Sequence, residues 1–234
     1  MCDLDDTLVV RAPAFRACAE GFLGECGRLD LLDWFIEHDR GGYRPRDEFW
    51  SAVHEQIGDA VTVEVGRDFQ DRLAESYRID EEGRAALAAA TRDGWSVAIL
   101  TNGPTAGQRR KIAAAGLDEL VEAVCISEEV GAAKPDPVIF RTAAARAGVP
   151  LDGAWMIGDN LDTDIAGGQA VGAQTVWVRP DREWVAPVSD VRPDHTADSF
   201  TEAVRWVLDA TAWPADEPAA RPAPGSARAS GSRC

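Results

Sequence analysis

The chain has 234 residues, 45% of them hydrophobic, and a formal net charge of −16. That length and apolar fraction suit one folded domain, or one plus an insertion, and exclude wholesale disorder. The acidic balance argues against a nucleic-acid polymer or an anionic membrane as partner, and an anionic substrate would need a local cation.

In chain order, the first stretch is MCDLDDTLVV, with Asp3, Asp5 and Asp6 inside four positions. Taken alone it reads as a solvated acidic terminus. From about Pro13 to Tyr77 the apolar residues recur at helical spacing: Phe49, Trp50, Val53 and Ile57 on one face, Val65, Phe69, Leu73 and Tyr77 on another. This predicts a helical insertion whose tryptophans, Trp34 and Trp50, serve the core.

From Trp95 onward, short apolar runs alternate with helical stretches. The runs are WSVAIL (95–100), VEAVCIS (121–127), AWMIGD (154–159) and QTVWVR (174–179). Continuous hydrophobicity predicts strands covered on both faces, hence a parallel sheet. Helices are expected over Ala106 to Ala115, Pro137 to Ala147 and Thr163 to Val171, with Gly116, Gly148 and Gly172 at their C-terminal ends. The expected fold class is α/β, a doubly wound parallel-sheet Rossmann-like core with an inserted α-helical cap. The core takes residues 1–12 and 78–213 and the cap 13–77, and the Pro/Ala/Ser/Gly-rich residues 214–234 read as a disordered tail.

No apolar run approaches the roughly 18 residues of a membrane span, and the N-terminus lacks the layout of a signal peptide. Cys2, Cys18, Cys26, Cys125 and Cys234 are scattered without a C-x-x-C pair, so they read as thiols of a reducing, cytoplasmic compartment. His38, His54 and His195 are too dispersed for a zinc site.

In a doubly wound sheet the C-terminal ends of the strands share one edge, where ligands bind. Asp3, Asp5 and Thr7 follow the first strand, Thr101-Asn102-Gly103 follows WSVAIL and opens a helix, Lys134 follows VEAVCIS, and Asp159 follows AWMI with Asp164 five positions on. Each alone has an ordinary reading as a cap, turn or solvated charge. Together they suit phosphoryl transfer. An ionised carboxylate, Asp3, needs no base to act as nucleophile. A hard divalent cation, Mg²⁺, held by Asp3 and Asp159 with Asp164 close, would relieve repulsion from the phosphate dianion, and Lys134 adds a second positive charge. Thr101 and the N–H groups of the helix it opens would hold phosphate oxygens. Asp5 would protonate the leaving group and later activate water; Asp6 has no necessary part.

DLDDT (3–7), Thr101-Asn102, Lys134-Pro135 and GDNLDTD (158–164) resemble, in order, the four motifs of the haloacid dehalogenase-like hydrolase superfamily. The resemblance runs from Asp3 to about Leu208, and the insertion after the first motif is similar to that of the alpha-helical cap subclass. ILTNGPTAGQRRKI and ISEEVGAAKPDPVIF are most similar to the branch with nucleotide monophosphatases and N-acylneuraminate-9-phosphatase. The resemblance implies a phosphatase acting on a small phosphorylated metabolite, a nucleotide or sugar phosphate. It implies an aspartyl-phosphate on Asp3, Asp5 as general acid/base and as a Mg²⁺ ligand through its carbonyl, phosphoryl binding by Thr101, Asn102 and Lys134, and a metal site completed by Asp159 and Asp164.

Asp5 argues against a haloacid dehalogenase, which has no alkoxide to protonate. A phosphomutase would use the same core, and a phospho-receiver domain would order its acidic residues differently. A non-catalytic protein is supported only by the short first strand. Only Met1 and Cys2 precede Asp3, where the family usually has several apolar residues, so Asp3 is expected near a fraying end, with the natural start upstream or the chain truncated. Arg11, Arg44, Arg46 and His54 are candidates to meet the substrate from the cap, but solvation or packing explains each, and none is assigned. The sequence carries no reading of oligomeric state.

Overall fold

A computed structural model describes residues 1–42, 44–179 and 189–211. The predicted tail and Cys234 lie outside the described residues. Ten α-helices and five strands are described: α1 (Arg11–Glu25), α2 (Leu32–Asp39), α3 (Arg46–Ile57), α4 (Val63–Ser76), α5 (Glu81–Arg92), β1 (Ala98–Thr101), α6 (Thr105–Ala115), β2 (Ala123–Ile126), α7 (Ser127–Val130), α8 (Pro137–Ala147), β3 (Trp155–Gly158), α9 (Ala166–Ala170), β4 (Gln174–Val178), β5 (His195–Ala197) and α10 (Phe200–Thr211).

All strand pairs among the described residues are parallel: β1 with β2, β3 with β4, and β4 with β5. The two groups meet at the start of the chain, where Cys2 bridges Ile99 on one side and Ile157 on the other. The short segment is not frayed. The Cys2 N–H donates to Ala98 O at 2.8 Å, the Asp3 N–H to Ile157 O at 2.9 Å, the Ile157 N–H to Met1 O at 2.9 Å and the Leu100 N–H to Cys2 O at 2.9 Å. Flanked on both edges, two residues suffice to hold Asp3 at the centre of the sheet, because each main-chain group finds a ladder partner.

The strands are short and buried, as continuous apolar runs require. Three of the four sequence-read strands start later than their apolar runs, because Trp95, Val121 and Ala154 precede the ladder. Helix α8 has the expected limits; Pro137 sits in its first turn and Asp136 caps Val138 N–H at 2.9 Å. The helix expected over 163–171 is instead a π-helical turn, Leu161–Ile165, followed by α9. β5 was not foreseen; three residues with a half-exposed pattern carry little periodic signal.

Between the first strand and α5, the described residues form helices α1 to α4 with two short 3₁₀ turns. Phe15, Phe35, Phe49 and Phe69 are essentially fully buried and pack edge-on or stacked with centroids 4.9–6.4 Å apart. Such rings contribute roughly 1.5–3 kcal/mol each by burial and a further ~0.5–1.5 kcal/mol per well-placed pair. Trp50 joins this cluster against Phe22, Phe49 and Phe69, and Trp34 stacks on His38, so both tryptophans serve packing. Helix α4 also packs on α6, tying the helical segment to the sheet region. No helix among the described residues is long and apolar enough to cross a membrane.

Candidate active site

Asp3, Asp5, Thr101, Asn102 and Asp159 stand within a few residues of a C-terminal strand end, Lys134 follows β2 after the short helix α7, and Asp164 reaches that edge through the π turn. Asn160 builds this turn: its Oδ1 accepts the Asp162 and Thr163 N–H groups at 3.0 Å each, and its main chain exchanges hydrogen bonds with Asp164 at 2.9 and 3.0 Å. A π turn fits a site that must aim one carboxylate away from helical register. Gly158 is required beside it, because a Cβ there would stand 2.5 Å from the Asp164 Cβ.

Asp3, Asp159 and Asp164 converge, each offering a carboxylate oxygen within 4.8 Å of the other two. Lys134 lies buried beside them. Its Nζ donates to Asp3 Oδ1 and to Leu100 O (2.8 Å), and pairs with Asp164 Oδ1 at 2.7 Å without hydrogen-bond geometry. Burial disfavours charge on Lys134, but the Asp164 and Asp3 carboxylates more than offset it and raise its pKa. Burial pushes Asp3 up to about 7; Lys134 works against this and Asp164 adds to it. Burial, then the charges of Asp3 and Asp164, lifts Asp159 to about 8. Three clustered carboxylates against one lysine leave excess negative charge in a buried site, and hard oxygen donors at this spacing fit a divalent cation such as Mg²⁺.

Asn102 is tied to Lys134. Its side chain accepts the Lys134 N–H at 2.8 Å and donates to Lys134 O at 3.0 Å, so it fixes the lysine's main chain. Thr101 is buried at the end of β1, its hydroxyl bonded by Gln108 Nε2. The helix expected to open at Thr101 begins at Thr105, after a Gly103-Pro104 turn. Two N–H groups near its start are engaged, Gly103 by Ser127 Oγ at 2.9 Å and Thr105 by Glu128 at 2.7 Å, so they are not open to a phosphate.

Asp5 does not sit among carboxylates alone. Lys111 Nζ meets its two oxygens at 2.7 and 2.8 Å, and Gln108 Nε2 donates to Oδ2 at 3.0 Å. Both partners come from α6, and both were missed. Their signal was the i, i+3 spacing of Gln108 and Lys111 on the helix after Thr101, which puts them on one face. Asp6 accepts the Arg11 N–H at 3.0 Å at the start of α1, in keeping with a capping role.

These groups open onto one cavity of about 360 Å³, lined by Asp3, Asp5, Thr101, Lys134, Asp159 and Asp164 and by Arg11 and the Gly41-Gly42 turn. Of the four cations weighed from sequence, Arg11 alone lines it. Arg46 pairs with Asp39 at 2.7 Å, Arg44 contacts His38 at 3.0 Å, and the His54 ring meets Val61 O at 3.1 Å.

The sequence profile of the haloacid dehalogenase-like hydrolases matches residues 1–172. The phosphoserine phosphatase of Thermus thermophilus is 40% identical over 86% of this chain and 98% of its own length. The N-acylneuraminate-9-phosphatase of Rattus norvegicus is 35% identical over 42% of this chain and 40% of its own length. A putative HAD-hydrolase of Bacillus subtilis, YfnB, solved bound to magnesium, superposes with a TM-score of 0.68 at 22% identity, covering 88% of this chain and 96% of that one. The match spans the aspartate loop, Thr101, Lys134 and the Asp159–Asp164 turn, and the fold agrees over nearly nine tenths of the chain. The chain therefore belongs to the haloacid dehalogenase-like hydrolase family, as a hydrolase of its phosphatase kind.

Proposed function

We propose that this chain is a Mg²⁺-dependent phosphatase that hydrolyses a small phosphomonoester through an aspartyl-phosphate on Asp3. The observation that carries the reading is the buried convergence of Asp3, Asp159, Asp164 and Lys134 at one cavity.

Asp3, Asp159, Asp164 and the main-chain carbonyl of Asp5 would hold the cation, which when bound supplies positive charge against the phosphoryl oxygens and favours ionised Asp3. Asp3 attacks phosphorus, and its carboxylate displaces the substrate's alkoxide. Lys134 neutralises charge gathering on the phosphoryl oxygens, with the Thr101 hydroxyl donating to one of them. Asp5 gives its proton to the leaving alkoxide, then takes one from the water that cleaves the acyl phosphate. In this reading Asn102 serves phosphoryl binding by fixing Lys134. Residues 1–12 and 78–213 act as the catalytic core, and the helices of 13–77 act as a cap that shuts water out.

A small metabolite fits a cavity of about 360 Å³ better than a polymer does. The near full-length relative named for phosphoserine widens the expected range beyond nucleotide and sugar phosphates. Cys2, Cys18, Cys26 and Cys125 are unpaired, which suits the reducing cytoplasm.

The test is phosphate release from a panel of phosphomonoesters with Mg²⁺ and with EDTA, using Asp3→Asn as control. Turnover that needs Mg²⁺ and is lost in Asp3→Asn supports the reading. Equal rates in EDTA, or in Asp3→Asn, overturn it.

A further inference from the structure

Gln108 stands in the first part of α6 and is buried, with 3% of its surface exposed. Its side chain runs back past the turn at Gly103: a Cβ on that glycine, whose φ is +144°, would stand 3.3 Å from Gln108 Cγ and Cδ. The carboxamide then reaches two groups of the site at once. Its Nε2 donates to Thr101 Oγ1 and, at 3.0 Å, to Asp5 Oδ2, with the Asn102 carbonyl oxygen 3.4 Å away. A carboxylate and a carbonyl only accept, so they place the nitrogen of the amide, not its oxygen, on this side.

That orientation fixes a direction at each partner. The amide hydrogen occupies one side of Thr101 Oγ1, so the hydroxyl hydrogen points elsewhere, and it meets no acceptor among the described residues. Thr101 lines the cavity, as Asp5 does. On Asp5, each carboxylate oxygen accepts along two lone pairs. Oδ2 has both engaged, by Gln108 at 3.0 Å and by Lys111 Nζ at 2.8 Å, whereas Oδ1 meets Lys111 alone, at 2.7 Å. The free position is therefore on Oδ1, on a side chain that stays 30% exposed.

We propose that Gln108 is a positioning residue for the phosphoryl transfer: its carboxamide turns the Thr101 hydroxyl hydrogen toward the phosphoryl group and leaves Oδ1 as the oxygen of Asp5 that moves the proton. This rests on the phosphatase reading above. In the first step Asp3 bonds to phosphorus, the bond from phosphorus to the leaving oxygen breaks, and that oxygen takes the proton held on Asp5 Oδ1. In the second, water bonds to phosphorus, the bond to Asp3 breaks, and a proton of the water passes to Oδ1. Gln108 neither gains nor loses a proton in either step. Its two hydrogen bonds hold a hydroxyl and a carboxylate in one arrangement, so less ordering is left to the transition state. A Gln108 that only shaped the Gly103 turn would instead disturb Thr101 and Asn102 together and slow every ester alike.

The experiment compares glycerol 2-phosphate, whose alkoxide needs a proton to leave, with p-nitrophenyl phosphate, whose phenolate leaves as the anion. Both are assayed with Mg²⁺ in the wild type, Gln108→Met, Gln108→Glu, Thr101→Ala and the Thr101→Ala/Gln108→Met pair, with melting curves to check folding. The readout is kcat/KM, which reports the steps up to departure of the leaving group. Gln108→Met is expected to lose about tenfold with p-nitrophenyl phosphate and about 100-fold with glycerol 2-phosphate. The p-nitrophenyl loss disappears in the Thr101→Ala background, where there is no hydroxyl left to turn. Gln108→Glu keeps the shape without the NH₂ group, shows the same split between the esters, and serves alone if Gln108→Met does not fold. Equal losses for the two esters, or a loss that adds in full to that of Thr101→Ala, overturn the proposal. If neither ester is turned over, the phosphatase reading fails, while orthophosphate affinities from calorimetry still decide on Gln108: weaker binding in Gln108→Met supports it, and an unchanged value sinks it.

Discussion

Lys111 Nζ embraces the Asp5 carboxylate, 2.7 Å from one oxygen and 2.8 Å from the other. The ammonium also sits 5.0 Å over the Tyr77 ring, which anchors it between α6 and the end of the helical segment. Under the role proposed for Asp5, a proton must be handed over in a fixed direction, and these contacts hold the carboxylate in one orientation.

Replacing Lys111 by methionine keeps the length of the side chain and removes the hold on Asp5. The expected result is a fall in kcat of about tenfold or more with a smaller change in KM. Steady-state kinetics on one ester checks it; Lys111→Arg should recover part of the loss, since a guanidinium also reaches both oxygens.

The raised pKa values give the metal-free protein a definite pH dependence. Asp3, near 7, and Asp159, near 8, both lie above their ordinary 3.8. Between those limits the folded state binds more protons than the unfolded chain. The stability that protonation gives is complete below about pH 4 and is lost as the pH rises through 7 and 8. The slope is at most ~1.4 kcal/mol per pH unit for each group. Melting in EDTA should therefore weaken from pH 5.5 to 8, and added Mg²⁺ should raise Tm more at pH 8 than at pH 5.5. A gap that stays constant with pH contradicts this.

Gly158→Ala tests how closely the π turn is fitted. The new Cβ would press on Asp164, and Asp164 has no room to retreat because it is almost fully buried. Loss of Mg²⁺ affinity on the order of 10- to 100-fold is expected, with about 1–3 kcal/mol of overpacking strain. Titration of activity against Mg²⁺ gives the first figure and denaturant unfolding the second.

Phe35→Ala removes the centre of the aromatic cluster, where the ring touches Phe15, Phe22, Phe49 and Phe69. Destabilisation of about 3–5 kcal/mol is expected. The change lies away from Asp3 and Lys134, so kcat measured below the lowered Tm should move much less than it does for Lys111→Met.

Much of this protein is legible in one dimension. The strands behind Thr101, Lys134 and Asp159 announce themselves as continuous apolar runs, because a sheet covered on both faces leaves no polar positions to break them. α8 shows its limits through Pro137 and Gly148, since both act on local backbone geometry. The carboxylates, threonine and lysine of the site are visible because they follow four successive strands, and a parallel sheet gathers those ends at one edge.

Other features depended on contacts that no local pattern encodes. Two residues at the chain start read as too short a strand, yet pairing on both sides lets Cys2 and Asp3 hold the centre of the sheet. Asn102 bonds the Lys134 main chain on both sides because Lys134, 32 positions away, passes within hydrogen-bond reach. Lys111 meets Asp5 across 106 positions and Arg11 meets Asp39 across 28. The sequence by itself determined which residues could do the chemistry, since charge, hydroxyl and backbone propensity are local properties. Only the tertiary structure decided which cation each carboxylate faces, because that depends on distances set by how α6 and the helical segment pack against the sheet.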